Sequence, residues 1–300
     1  MPSWQSHIVH PLLRLMVQNR LAKVSTLEHA RAVFNGTKPA KVPGVAFVPG
    51  RMGDVPGEWA YSHQTYLGTM LYLHGGGYFA CTPATYRPIT GGFAKYGLNI
   101  FAPDYRLAPE HPFPAALEDA LKAYQALLSL HSPNQLVIAG DSAGGGLALA
   151  MLLAAKQAGL PLPACVILFS PWTDLAVTGP SIKTNAQRES LLISERIKEA
   201  AALYLGDADP HTPLASPLYG DLSNLPPLLI QVSDREILLD DSVRVAEKIR
   251  AVGGVVQLHV WPNLPHVWQI GQRILPEART ALKQAVDFAI LALASRPTSA

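Results

Sequence analysis

From about Val55 onward, short apolar runs alternate with longer helix-patterned ones, and this alternation constrains the fold more than any other feature of the chain. A strand that is apolar on both faces needs cover on both. A helix returned between successive strands supplies that cover and leaves the strands parallel. The pattern predicts strands at residues 69–73, 98–102, 135–139, 164–169, 228–232 and 255–261, and helices at about 85–96, 114–130, 143–158, 240–251 and 277–294. Gly159, Gly253 and Gly254 stand where helix C-termini with positive φ are expected. An earlier pair, near 45–48 and 58–62, is expected to add antiparallel edge strands. The expected class is α/β, a mostly parallel central sheet flanked by helices on both faces.

Two segments break the alternation, 1–40 and about 178–225. The first has amphipathic helical spacing at Ile8, Leu12, Leu15 and Met16; the second has a helix-like stretch at 194–205 followed by a proline-rich return. One reading is ordinary packing of surface helices. The other is a helical cap over a site, formed by residues 1–40 with a contribution from 178–210, on a body spanning 41–300.

Composition narrows the function classes. Of 300 residues, 49% are hydrophobic and 15% charged, which supports a large core and excludes a disordered chain. A net charge of +2 without a basic tract gives no footprint for nucleic acid. The two cysteines, Cys81 and Cys165, offer neither a disulfide framework nor a metal site. Arg14 interrupts the apolar patch at 8–17, and no run approaches a membrane span, so stable membrane insertion is not expected and a cytoplasmic location is.

The chemistry starts at Gly140-Asp141-Ser142-Ala143-Gly144, which follows a predicted strand and opens a predicted helix. In that context the pattern reads as a nucleophile elbow, a sharp turn that lifts Ser142 clear of the sheet. The flanking glycines are expected because a Cβ there would strike neighbouring backbone. His74-Gly75-Gly76-Gly77 follows another predicted strand at the same sheet edge. A glycine loop there lets backbone amides converge on an oxyanion, and Gly75, Gly76 and the Ala143 amide are the expected donors. His74 precedes the nucleophile and is expected to brace the loop, while His259 lies within a half-exposed strand. His266 falls in the loop past the last strand, within reach of a serine at the sheet edge, and is the expected general base. Its carboxylate partner should follow the strand at 228–232. Asp240 and Asp241 suit the first turn of the next helix, which leaves Asp234 or Glu236.

Four segments together resemble the bacterial hormone-sensitive-lipase-like esterases of the α/β-hydrolase superfamily: H-G-G-G-Y from His74, D-Y-R-L-A-P-E-H-P-F-P-A-A from Asp104, G-D-S-A-G-G from Gly140 and S-P-W-T-D-L from Ser170. The resemblance spans about residues 69–268. It implies the α/β-hydrolase fold and places the acid at the head of Glu236-Ile237-Leu238-Leu239-Asp240-Asp241, which makes Glu236 the acid and Asp234 the fallback. This departs from the family's more usual aspartate, as His266-Val267-Trp268 departs from its His-Gly-Phe. The segment from Asp104 is implied to brace the glycine loop, and Asp141 to support the elbow.

The implied function is a serine carboxylesterase that cleaves short- to medium-chain esters through a covalent acyl-enzyme, with a small-molecule ester as its partner and no metal or cofactor. Relatives also imply a homodimer through the last strand and helix. The same triad serves amidases, peptidases and lipases, and the fold includes receptors that have lost a triad member; here all three members are present.

Overall fold

The computed structural model describes residues 2–35 and 39–295. Among these residues eight strands form one sheet in the order β1-β2-β4-β3-β5-β6-β7-β8. They are β1 (Val45–Met52), β2 (Val55–Ser62), β3 (Gly68–Leu73), β4 (Leu98–Pro103), β5 (Leu136–Asp141), β6 (Cys165–Phe169), β7 (Leu228–Ser233) and β8 (Val256–Trp261). The pairs β1·β2 and β2·β4 are antiparallel, and every other pair is parallel.

Among the described residues ten α-helices accompany the sheet: α1 (Trp4–Leu13), α2 (Asn19–Ala22), α3 (Leu27–Asn35), α4 (Arg87–Ala94), α5 (Ala115–Leu128), α6 (Ser142–Gln157), α7 (Ser181–Thr184), α8 (Ile197–Leu205), α9 (Leu239–Ala251) and α10 (Pro276–Ala294). Strand periodicity divides the core between the two faces. Leu71, Leu73 and Ile138 join Leu117, Leu147 and Val245 in a cluster under α5, α6 and α9. Met70, Tyr72 and Val137, one residue out of phase, pack with Phe93, Leu282 and Val286 under α4 and α10. The strands β3, β5, β6 and β7 are buried along their whole length, whereas β8 is a half-exposed edge. Gly159 and Gly253 end helices at φ of 66° and 75°.

Parallel strands bring the loops after β3, β5, β7 and β8 to one edge, where all the candidate residues lie. The approach there is close. A Cβ on Gly144 would sit 2.1 Å from the Leu73 carbonyl oxygen and 2.4 Å from that of His74. Both are backbone atoms of a buried central strand and its loop, so neither can yield. Gly144→Ala is therefore expected to lower stability by about 3 kcal/mol or more, read as a shift of the urea midpoint; a shift below about 1 kcal/mol would show that the strand can move aside.

The N-terminal segment departs from its sequence pattern. Trp4–Leu13, a π-helical turn (Arg14–Gln18) and Asn19–Ala22 are continuous, and their polar side faces inward. His10 Nδ1 lies 2.9 Å from Ser190 Oγ. Gln18 Nε2 donates to Leu192 O at 2.7 Å, and the Arg14 guanidinium donates to Gln187 O and Glu189 O. Arg196 completes the fastening, donating from the 187–196 side to Leu21 O at 2.6 Å. On the other flank, Arg31 of α3 donates to Phe79 O at 2.7 Å and to Ala108 O at 2.9 Å. The apolar spacing at Ile8, Leu12, Leu15 and Met16 consequently faces solvent. Among the described residues, no helix is long and apolar enough to cross a membrane.

Candidate active site

Ser142 is the first residue of α6 and sits directly after β5 at φ 51°, a left-handed conformation unusual for a residue with a side chain. The turn projects Oγ into a cavity and leaves the first amides of α6 without intrahelical acceptors. The Ser142 carbonyl accepts from Trp172 N at 2.8 Å, which ties the elbow to the segment after β6.

His266 lies in the loop after β8, with Nε2 2.9 Å from Ser142 Oγ and Nδ1 2.6 Å from Glu236 Oε2. A carboxylate only accepts, so Nδ1 carries the proton and Nε2 accepts from the serine hydroxyl. Glu236, fully buried in the turn after β7, also accepts at Oε1 from Ser170 Oγ at 2.8 Å and from Ser233 N at 2.7 Å. Ser233 Oγ in turn accepts from Leu264 N at 3.1 Å, so the carboxylate loop and the histidine loop are joined below the pair. Burial pushes the His266 pKa down, but the charge and hydrogen bond of Glu236 outweigh it, and the net shift is upward from 6.5.

Asp234 points elsewhere. It accepts from Asn263 N at 2.8 Å and pairs with Arg188 at 3.1 Å at the surface. Asp240 and Asp241 lie in the first turn of α9, where Asp241 accepts from the amides of Thr173 and Asp174. His259 is a partly exposed residue of β8. His74 Nδ1 donates to Gly75 O at 2.7 Å, and its burial between Tyr105 and Tyr86 lowers its pKa to about 4, so it stays neutral.

The glycine loop corrects one sequence expectation. The Gly75 amide donates to Asp141 Oδ1 at 3.0 Å and is not available to an oxyanion. Gly76 and Gly77, at φ of 114° and 62°, line the cavity with Ser142 and His266. Three consecutive glycines give no sequence signal for which amides the turn presents; that depends on these two positive φ angles. Asp141 also accepts from Tyr72 Oη at 2.7 Å, and burial raises its pKa to about 7. Tyr105 Oη donates to His74 O at 2.6 Å and Ala108 N to Tyr78 O at 2.9 Å, so the segment from Asp104 clamps both ends of the loop. Ser170, whose hydroxyl donates to Glu236, was not singled out from the sequence. It heads the S-P-W-T-D-L segment, one of the four that carry the family resemblance.

The cavity is about 480 Å³ and its wall is mostly apolar, with Leu21, Val24 and Phe34 from the N-terminal helices facing Leu192, Ile193 and Leu203. Among the described residues, no group of three or more His, Cys, Asp or Glu side chains is placed to hold a metal ion.

An elbow serine after the central strand of a mostly parallel sheet, in line with an imidazole and a buried carboxylate, defines the class as an α/β-hydrolase. The comparisons agree: the family model for the alpha/beta hydrolase fold matches residues 70–270. An acetyl-hydrolase of Streptomyces hygroscopicus is 39% identical over 96% of this chain and 97% of its own length. An esterase of Acinetobacter venetianus is 36% identical over 82% of each. The crystal structure of an esterase from the bacterial hormone-sensitive lipase family, 39% identical, superposes with a TM-score of 0.91 over 98% of this chain and 99% of that one. That of the esterase EstE5, soaked with p-nitrophenyl butyrate, is 35% identical with a TM-score of 0.93 over 98% and 100%. The chain belongs to the bacterial hormone-sensitive-lipase-like esterases, a family of carboxylic ester hydrolases within the α/β-hydrolases.

Proposed function

We propose that the protein hydrolyses short- to medium-chain carboxylic esters through a covalent acyl-enzyme formed on Ser142. The observation that carries this reading is the hydrogen-bonded line from Ser142 Oγ through His266 to Glu236, whose two links measure 2.9 and 2.6 Å. In the first step His266 Nε2 takes the hydroxyl proton as Oγ adds to the ester carbonyl, and Glu236 balances the imidazolium that forms. The amides of Gly76, Gly77 and Ala143 then stabilise the oxyanion: the two glycines line the cavity, and the Ala143 amide lies at the positive end of α6. Collapse expels the alcohol, protonated by His266, and water repeats the sequence on the acyl group. All of these groups belong to the chain, so the route calls for no metal or cofactor.

The segment 1–40, of which residues 1 and 36–38 lie outside the described residues, acts with part of 178–210 as the cap of this site. Side chains from both segments form the cavity wall, and the bonds of Arg14, Gln18 and Arg196 hold the two together. The apolar wall and bounded volume favour acyl chains shorter than those of storage lipids. Across p-nitrophenyl esters, kcat/KM should peak at short to medium acyl lengths and fall at least about tenfold by palmitate; an optimum at palmitate would overturn the chain-length claim.

Assembly and location complete the proposal. The half-exposed β8 carries Val260 at its edge and α10 exposes Leu291, which suits a homodimer through that side. Cys81 and Cys165 are free, buried thiols whose pKa burial lifts to about 12, which suits a reducing cytoplasm.

A further inference from the structure

The stripe of apolar side chains on the N-terminal helix is turned away from the body. Trp4, Ile8, Leu12, Leu15 and Met16 recur at helical spacing and are 48–70% exposed. An amphipathic surface helix ordinarily buries such a stripe. This one cannot roll inward, because its opposite side is held by His10, Arg14 and Gln18 to the 187–192 segment. The Ser3 cap is likewise fixed, with its amide and hydroxyl donating to Glu277 at 2.6 and 2.9 Å.

Charge identifies the occupant. Residues 2–26 contain no Asp or Glu, and Arg20 and Lys23, past the stripe's C-terminal end, are both exposed. Glu277, the carboxylate bonded at the start of the helix, is committed to Ser3. A second copy of the stripe, in either orientation, offers Arg20 and Lys23 no acid within residues 2–26. An anionic lipid surface supplies both requirements at once: an apolar layer for the stripe, with tryptophan at the headgroup boundary, and negative charge for the cations.

We infer that the outer face of the N-terminal helix docks the enzyme reversibly on an anionic lipid bilayer, lying in the interface without spanning it. The same segment contributes Val17, Leu21 and Val24 to the cavity wall. Docking therefore places the site beside a phase into which apolar esters partition. This does not depend on the acyl-length assignment, and its test does not use catalysis as its main readout.

The experiment is co-sedimentation of the full chain with vesicles of phosphatidylglycerol mixed with phosphatidylcholine, and with phosphatidylcholine alone. Wild type is expected to pellet with the anionic vesicles, weakly with the neutral ones, and less as salt is raised. The triple variant Ile8→Ser/Leu12→Ser/Leu15→Ser should reduce the bound fraction at least about tenfold, and Arg20→Glu/Lys23→Glu should do so selectively on anionic vesicles. All five positions are exposed and outside the cavity, so both variants should keep wild-type hydrolysis of soluble p-nitrophenyl butyrate, which shows that they are folded. Absence of wild-type binding, or equal binding by the triple variant, overturns the proposal. If the triple variant changes only the oligomeric state, the occupant is a second copy, and the proposal is equally overturned.

Discussion

Replacing Ser142 with alanine is expected to lower kcat for p-nitrophenyl butyrate by about 10⁵-fold or more, the largest single effect in the protein. The cavity and the amides proposed to hold the oxyanion remain in this variant, so it should still bind ester. It has no atom to carry the acyl group, and water would have to attack directly. The residual rate then measures what electrostatics and positioning do alone, about 10³- to 10⁴-fold over water in enzymes of this kind. Stability should barely change, because the substitution removes one hydrogen bond at 2.9 Å and the φ of 51° is retained by an alanine. The same variant should lose labelling by a fluorophosphonate probe, which requires a nucleophilic serine. Activity within tenfold of wild type would show that Ser142 is not the nucleophile; unlabelled wild type would favour a receptor built on this fold.

The second large effect concerns the carboxylate. Glu236→Gln should cost about 10³- to 10⁴-fold in kcat, because a neutral amide neither balances the imidazolium nor enforces the proton on Nδ1. It should also move the pH profile. His266 must be neutral to accept the serine proton, so activity is present above its pKa and lost as pH falls through it. Glu236 raises that pKa above 6.5, which puts the acid limb of wild-type kcat/KM above pH 6.5. Without the negative charge, burial is left to push the histidine down, and the residual activity should show its acid limb at lower pH. Asp234→Asn is the contrasting variant. Its pair with Arg188 is exposed and worth at most about 1 kcal/mol, so the rate should stay within about threefold and the limb should not move. The reverse ranking of the two variants would transfer the role to Asp234.

These two experiments divide along the line between what was readable and what was not. The parallel sheet was legible because strands buried on both faces must be continuously apolar, and β3, β5, β6 and β7 are buried throughout. The meeting of Ser142 and His266 at one sheet edge was legible because each follows a strand, and parallel strands deliver such loops to one edge. The carboxylate was not legible from the residues alone. Asp234 and Glu236 are two positions apart in one turn, and only the turn's path sends one to Arg188 and the other to His266. The resemblance to a family narrowed that choice; composition and spacing did not.

Two features lay beyond the sequence for the same physical reason. Gly75, Gly76 and Gly77 are identical side by side, and the amide that turns to Asp141 is selected by backbone angles set by the clamp from Tyr105 and Ala108. On the N-terminal helix, apolar spacing located a stripe but not its direction. Hydrogen bonds from His10, Arg14 and Gln18 to a segment about 170–180 positions away turned it outward. The sequence by itself determined the layers, the strand-to-helix elbow and the edge where the chemistry gathers, because burial and local periodicity are properties of neighbouring residues. The tertiary structure decided which amides, which carboxylate and which helix face meet a partner, because those depend on contacts between residues far apart in the chain.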